Sequence, residues 1–137
     1  MTTIAFDGVT MAADRQCGGA HIMRVLEPKL FRVNGSVFGV CGRLEHIVMM
    51  RDWLRKGGEK PNLGDHFEAL EARNGACWYY SSGLARCRLD FPASIGSGQD
   101  FAMAAMYAGK DARNAVKIAI KLDEGSGLGI QTFKAPA

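Results

Sequence analysis

The chain begins Met1-Thr2-Thr3-Ile4, so loss of one residue would leave a threonine that carries a hydroxyl and a free α-amine together. A threonine hydroxyl is a poor nucleophile unless a base stands beside it. An α-amine titrating near ~8 can take the hydroxyl proton directly or through a water. Methionine before a small residue is the kind of initiator that is usually removed. Two charged residues could serve such a centre. Asp14 ends a run of apolar residues, and Lys29 follows Pro28 where a strand-like segment starts. The lysine charge would stabilise an alkoxide and lower the amine's pKa, while the aspartate keeps the lysine charged and oriented. Spacing alone is described more simply by a surface salt bridge or two unrelated charges.

Three other segments carry candidate chemistry. Gly96-Ser97-Gly98 could cradle a phosphate, because backbone N–H groups cluster at such turns. The stretch to Phe101 lacks the third glycine of a dinucleotide fingerprint, and Asp100 puts negative charge where a phosphate would sit. A tight turn whose Ser97 caps the following helix is the simpler reading. Asp123-Glu124-Gly125-Ser126-Gly127 reads as a glycine-rich helix exit. Cys41, just before Gly42, could be a nucleophile, but no histidine is evidently paired with it, and a buried thiol is the simpler reading.

The elements that position these residues follow from periodicity and turn chemistry. Residues 3–13 read as a hairpin about Asp7-Gly8, and 29–41 as a second about Asn34-Gly35, since both dipeptides favour positive φ. Over 43–56 the period becomes helical, with Leu44, Ile47, Val48 and Leu54 on one face and Gly57-Gly58 ending the run. A short helix is expected over 65–71, a strand over 76–80 and a half-exposed strand over 84–90. Ser97 should be followed by a helix with Phe101, Ala102, Ala105 and Met106. Asp111 should cap a second helix whose core face carries Ala112, Val116, Ala119 and Ile120, and residues 130–133 can close a sheet. Two sheets face to face with helices outside would accommodate this order.

Bulk properties remove several function classes. The 137 residues suit one domain, 1–137, of ordinary globular composition. A net charge of +3 with scattered basic residues argues against nucleic acid, and Arg51, Arg55 and Lys56 read as the polar face and end of one helix. Cys17, Cys41, Cys77 and Cys87 form no C-x-x-C pair, and His21, His46 and His66 have no ligand spacing, so neither metal nor cofactor is expected. With no leader-like start and no apolar run of membrane-spanning length, the expectation is a cytoplasmic protein with free thiols and no membrane contact.

The ordered set of segments resembles the N-terminal-threonine peptidases, the proteasome β subunits and HslV. Met-Thr-Thr-Ile is similar to the HslV start, residues 9–14 to the family's strand ending Ala-x-Asp, and residues 29–33 to its lysine-led strand. Residues 39–42 resemble the strand ending in the oxyanion glycine, Ile95-Gly96-Ser97-Gly98 the serine turn, and Asp123-x-x-Ser126-Gly127 the proteasome Asp-x-x-Ser-Gly. The resemblance implies an α+β, four-layer αββα sandwich of two mainly antiparallel sheets with reduced outer helices. It also implies Thr2 as nucleophile and, through its amine, base; Lys29 as positive field; Asp14 as its holder; and the Gly42 N–H as oxyanion donor. Ser97, Asp123 and Ser126 would orient the amine, and Thr3 should point to the other face of its strand. Peptide or unfolded-protein substrates and a homo-oligomer, in the family a ring, are implied too.

Departures from the pattern accompany it. The first hairpin is short, Arg43 stands where many members have a second glycine, and the long second outer helix is reduced to 62–71. The ring and an ATPase unfoldase partner are therefore carried over less firmly than fold and site. The first specificity pocket, near Val40 and the start of the next helix, is expected to be apolar. Three readings follow: a threonine-type hydrolase of peptide bonds once Met1 is removed; a non-catalytic assembly or binding protein that keeps Met1; and a small nucleotide-binding domain using Gly96–Gly98.

Overall fold

The computed structural model describes residues 2–17, 23–24 and 28–136, with backbone alone at Cys17, Met23 and Arg24. Met1 and His21, on which expectations were placed, lie outside them. In chain order the elements are β1 (Thr3–Phe6), β2 (Thr10–Asp14), β3 (Gln16–Cys17), β4 (Met23–Arg24), β5 (Leu30–Val33), β6 (Ser36–Cys41) and α1 (Leu44–Lys56). They continue with β7 (Glu68–Arg73), β8 (Ala76–Tyr80), β9 (Arg86–Leu89), β10 (Ala93–Gly96), α2 (Gln99–Tyr107), α3 (Ala112–Leu122) and β11 (Ile130–Lys134). One sheet has the order β10-β1-β2-β11 and the other β5-β6-β7-β8-β9, with β3 and β4 as a separate short ribbon. Every neighbouring pair is antiparallel.

Strand alternation sorts side chains into three apolar layers. Ile4, Phe6, Met11, Leu30, Val37 and Leu70 fill the space between the sheets. From the same strands Ala5 and Ala12 point the other way, onto Ala102, Ala115, Val116 and Ala119 of α2 and α3. Alanines on both sides let the helices lie close. On the far side Phe31, Phe38 and Val40 pack on Ile47 and Met50 of α1. The result is the expected αββα order, with α1 alone on one face among the described residues. Among the described residues, no helix is long and apolar enough to cross a membrane.

Both hairpins form, the second with Asn34 and Gly35 at the positive φ its dipeptide favours, 50 and 80; in the first, Gly8 is at φ 101 but Asp7 is not at positive φ, and the loop runs from Asp7 to Val9. The first turn does more than reverse the chain. One Asp7 carboxylate oxygen accepts from the N–H groups of Val9 and Thr10, each at 2.8 Å. The other reaches across to the Ala112 N–H at 2.8 Å, the first residue of α3. Asp111 caps that helix as expected, accepting from the Asn114 N–H at 2.9 Å.

Three expectations are corrected. Residues 65–71 are not a helix: Glu68–Arg73 is the central strand β7. Its Glu-Ala-Leu-Glu-Ala-Arg sequence favours a helix by propensity, but pairing on both edges and burial on both faces override it. Ser97 does not cap α2, whose N-cap is Gly98 with no side-chain bond. Phe101 is exposed, and α2 buries Ala102, Ala105 and Met106 instead.

Gly39 marks the closest crossing of the two sheets. A Cβ there would lie 2.7 Å from the Ile4 side chain and 2.8 Å from Met11 Sδ. Gly39→Val should therefore destabilise the fold by at least about 1–3 kcal/mol through overpacking, read as a lowered thermal midpoint. Gly83→Ala, where no atom lies within 4 Å of the added carbon, should leave the midpoint unchanged. Equal midpoints for both variants would refute the close-packed crossing.

Candidate active site

Antiparallel pairing brings one set of strand ends together. β1 begins where β2 and β10 end, with Ile4 opposite Ala13 and Thr3 opposite Gly96. In the facing sheet β5 begins where β6 ends, and the Val40 N–H donates to the Lys29 carbonyl at 2.9 Å. Gly42 follows two residues later, at φ 146. An added Cβ there would make only ordinary contact, 3.5 Å from Phe67 Cα, so it is the backbone conformation that favours glycine.

The Asp14 carboxylate is 1% exposed and takes four donors. Oδ1 accepts from Lys29 Nζ at 3.0 Å and from the Thr3 N–H at 2.9 Å. Oδ2 accepts from the Gln16 N–H at 3.2 Å and the Gly127 N–H at 3.0 Å. Lys29, 4% exposed, also donates to the Gln16 carbonyl. The pair is thus a buried ion pair, not the surface salt bridge that spacing alone suggests.

A second network surrounds Thr2. The Thr2 N–H donates to Ser97 Oγ at 3.3 Å, and Ser97 Oγ donates to Asp123 Oδ2 at 2.6 Å. Ser126 Oγ meets the same Asp123 oxygen at 2.7 Å and lies 2.7 Å from Thr3 Oγ1. Burial alone would raise the Asp123 carboxyl, but hydrogen bonds from Ser97, Ser126 and the Gly125 N–H bring it below its ordinary 3.8. The turn that carries Ser97 is clamped on β1. An added Cβ at Gly96 would sit 2.0 Å from the Thr2 carbonyl, and one at Gly98 2.0 Å from Thr3 Oγ1. These glycines serve close backbone approach, and the cradle reading of the turn gains nothing from the geometry.

Of the residues named from sequence, Thr2, Ser97, Asp123 and Ser126 form one bonded set and Asp14 with Lys29 another. Thr3 joins the two, and Gly42 stands beyond the Lys29–Val40 bond. Three members were not anticipated. Thr3, expected only to point to the other face of its strand from Thr2, bonds both Ser126 and Asp14. Gln16 holds Lys29 through its carbonyl and the Glu124 carbonyl through its side chain at 3.0 Å. Gly127 donates to Asp14. No signal in the sequence singled these three out, because the burial of Asp14 is set by distant contacts.

Cys41 is no nucleophile in this setting. Burial first, and Glu68 next, push its thiol up to about 11, so it stays protonated and inert. Val40 is fully buried, and the open cleft at the start of α1, about 280 Å³, is lined by Arg43, His46, Leu63, Gly64, Asp65 and His66. Among the described residues no His, Cys, Asp and Glu are grouped to hold a metal ion.

With fold and site in place, the chain can be set beside known structures. Thiobacillus denitrificans BPH matches with a TM-score of 0.77 at 20% identity, over 97% of this chain and 96% of that one. Its complex with Epoxomicin matches equally, at a TM-score of 0.77. HslV from Trypanosoma brucei matches at 0.71 and 19% identity, over 98% of both chains. The fold is that of the HslV-like, proteasome β-type sandwich. Anbu, an ancestral β-subunit from Yersinia bercovieri, matches at 0.66 and 12% identity, over 99% of this chain and 82% of that one. At such identities the likeness is one of fold. No protein-family model and no curated protein sequence matches the chain. Among the described residues the sandwich here has one helix, α1, on the β5–β9 face.

Two outcomes test the site. Removing Lys29 or Asp14 alone leaves a buried charge unpaired. Lys29→Met or Asp14→Leu should cost about 3–5 kcal/mol in denaturant unfolding, and the double variant less than the sum. Additive losses would mean the pair is not coupled. Because the folded-state pKa of Asp123 is lowered, its contribution is present above 3.8 and lost as pH falls through the folded value. Ser97→Ala should shift the carboxyl titration of Asp123 upward, as followed by carbon NMR, and an unmoved titration would disconnect Ser97 from Asp123.

Proposed function

We propose that the chain is a threonine-type N-terminal-nucleophile hydrolase that cleaves peptide bonds once Met1 is removed. The observation that supports it most is the path from the Thr2 nitrogen through Ser97 to Asp123 and Ser126. As a free α-amine, that nitrogen would have a hydroxyl partner already in hydrogen-bond reach, backed by a carboxylate. Thr2 is 2% exposed.

In this reading the amine takes the proton of Thr2 Oγ1, and the oxygen attacks the scissile carbonyl carbon. The developing oxyanion accepts from the Gly42 N–H, a donor worth roughly 3 kcal/mol where it is well aimed. The protonated amine then gives its proton to the leaving nitrogen, and an ester remains on Thr2. Water, deprotonated by the same amine, attacks that ester and restores the threonine. Lys29, held by Asp14 and Gln16, supplies a fixed positive field that favours the alkoxide and keeps the amine neutral. Ser97, Asp123 and Ser126 orient the amine. A peptide or unfolded protein as substrate, a homo-oligomer, and a cytoplasmic setting belong to the same proposal, and an ATPase partner is its least supported part. The competing reading is an assembly or binding protein that retains Met1, whose blocked nitrogen could not act as base.

Intact mass after incubation with epoxomicin, the ligand in one BPH complex, separates the two. Such an epoxyketone reacts with both the hydroxyl and the amine of an N-terminal threonine. Loss of one methionine plus one adduct, abolished by Thr2→Ala, is the expected outcome. A full-length mass without adduct would leave the assembly reading standing.

A further inference from the structure

Asp14, Asp123 and Glu68 stand around these strand ends and Glu71 lies further along β7, and all but Glu68 are fully engaged. Asp14 holds Lys29 and three N–H groups. Asp123 takes two hydroxyls. Glu71, on the α1 side of its sheet, takes Ser36, Tyr80 and Arg86. Glu68 differs. It is half-buried and takes only the Tyr79 hydroxyl, at 2.9 Å, and no cation among the described residues pairs with it.

Its position is what gives this meaning. Glu68 is the register partner of Cys41, the residue directly before Gly42. Partners in a ladder share a face, and Cys41 and Tyr79 both pack on the cluster between the two sheets. Glu68 therefore stands on the inner side of its sheet, next to the glycine whose N–H faces the reacting carbonyl in the hydrolase reading. Its charge is felt at the Cys41 thiol together with those of Lys29 and Asp14. Tyr79 is fixed as donor, because burial, then Glu68, raise its phenol to about 12. An unpaired anion beside an oxyanion site opposes the chemistry unless the substrate neutralises it. Tyr79 orients the carboxylate and leaves its other oxygen open.

We propose that Glu68, oriented by Tyr79, is a specificity determinant that binds a cationic side chain, Lys or Arg, of the peptide beside the scissile bond. The inference rests on the hydrolase reading. It concerns the inner wall of the cleft and is separate from the Arg43–His66 cleft at the start of α1.

The test uses the full chain after Met1 removal and peptide sets in which Arg, Lys, Leu and Glu are placed in turn on each side of the cleaved bond. At one position Arg and Lys should exceed Leu by about tenfold or more in kcat/KM, the scale of a partly desolvated charge pair. Glu68→Gln, which keeps the Tyr79 hydrogen bond, should abolish that preference by raising KM for Arg and Lys peptides, while Leu peptides, freed of an uncompensated anion, should be cleaved no more slowly than before. Glu68→Lys should reverse it toward Glu. Tyr79→Phe should weaken the preference without reversing it. Peptide cleavage without a cationic preference, or a preference that survives Glu68→Gln, would overturn this proposal alone. No cleavage of any peptide and no epoxomicin adduct would overturn the hydrolase reading and this proposal with it.

Discussion

A buried carboxylate needs a donor for each of its lone pairs, and Asp14 draws its donors from four separate parts of the chain. Thr3 comes from the first strand, Gln16 from just beyond the second, Lys29 from the start of the facing sheet and Gly127 from the loop after α3. None of these donors can move off without leaving charge or an N–H unsatisfied in a water-poor place. The neighbour of Thr2, the lysine and the loop that carries Ser126 therefore keep one mutual geometry. Asp14 does more than hold Lys29; it sets the frame in which Lys29, Thr2 and Ser126 meet. Preorganised charge of this kind costs no reorganisation when a reaction starts.

The other half of the site is set from the helical layer. Asp7 ties the first turn to the N-terminus of α3, and Asp111 caps the same helix. A helix anchored at its start has a defined end, and α3 ends at Asp123. Ser97 reaches that carboxylate because the turn before α2 is pressed on β1 so closely that neither flanking glycine could carry a side chain. On the opposite face Tyr80 of β8 packs on the cluster that includes Ile47 and Met50 of α1, and Trp78 lies beside two arginines. There the Arg86 guanidinium lies 3.8 Å from the Trp78 ring centre and Arg88 lies 5.6 Å from it, so cation–π stacking shields the sheet where apolar packing would otherwise be needed.

What could be read from the sequence had local causes. Asp7-Gly8 and Asn34-Gly35 declared two hairpins, and the 3.6 period and Gly57 declared α1. Strand β7 was illegible because its residues are good helix formers buried on both faces, which erases the period of two. Asp14 and Lys29 were visible as residues, but burial decides whether such a pair is a salt bridge or a frame, and burial is not local. Thr3, Gln16 and Gly127 entered the site through contacts 11 to 123 residues distant in sequence. Ordered resemblance supplied the proposed roles, including Asp14 as holder of Lys29, and it passed over Thr3, Gln16 and Gly127, which bond to those residues.

The same contacts decide which threonine could act. Thr3 is 0% exposed, its N–H is held by Asp14 and its hydroxyl lies on Ser126. Trimming the chain to Thr3 would replace that N–H by a charged amine against a carboxylate already paired with Lys29, and would remove the strand end that Gly98 and Ser97 hold through the Thr2 carbonyl. Thr2 has the complementary arrangement. Its carbonyl is clamped, its nitrogen faces Ser97, and the described residues give its hydroxyl no competing bond. In a site built this way the hydroxyl is the one group of Thr2 left uncommitted, which is the condition a nucleophile has to meet.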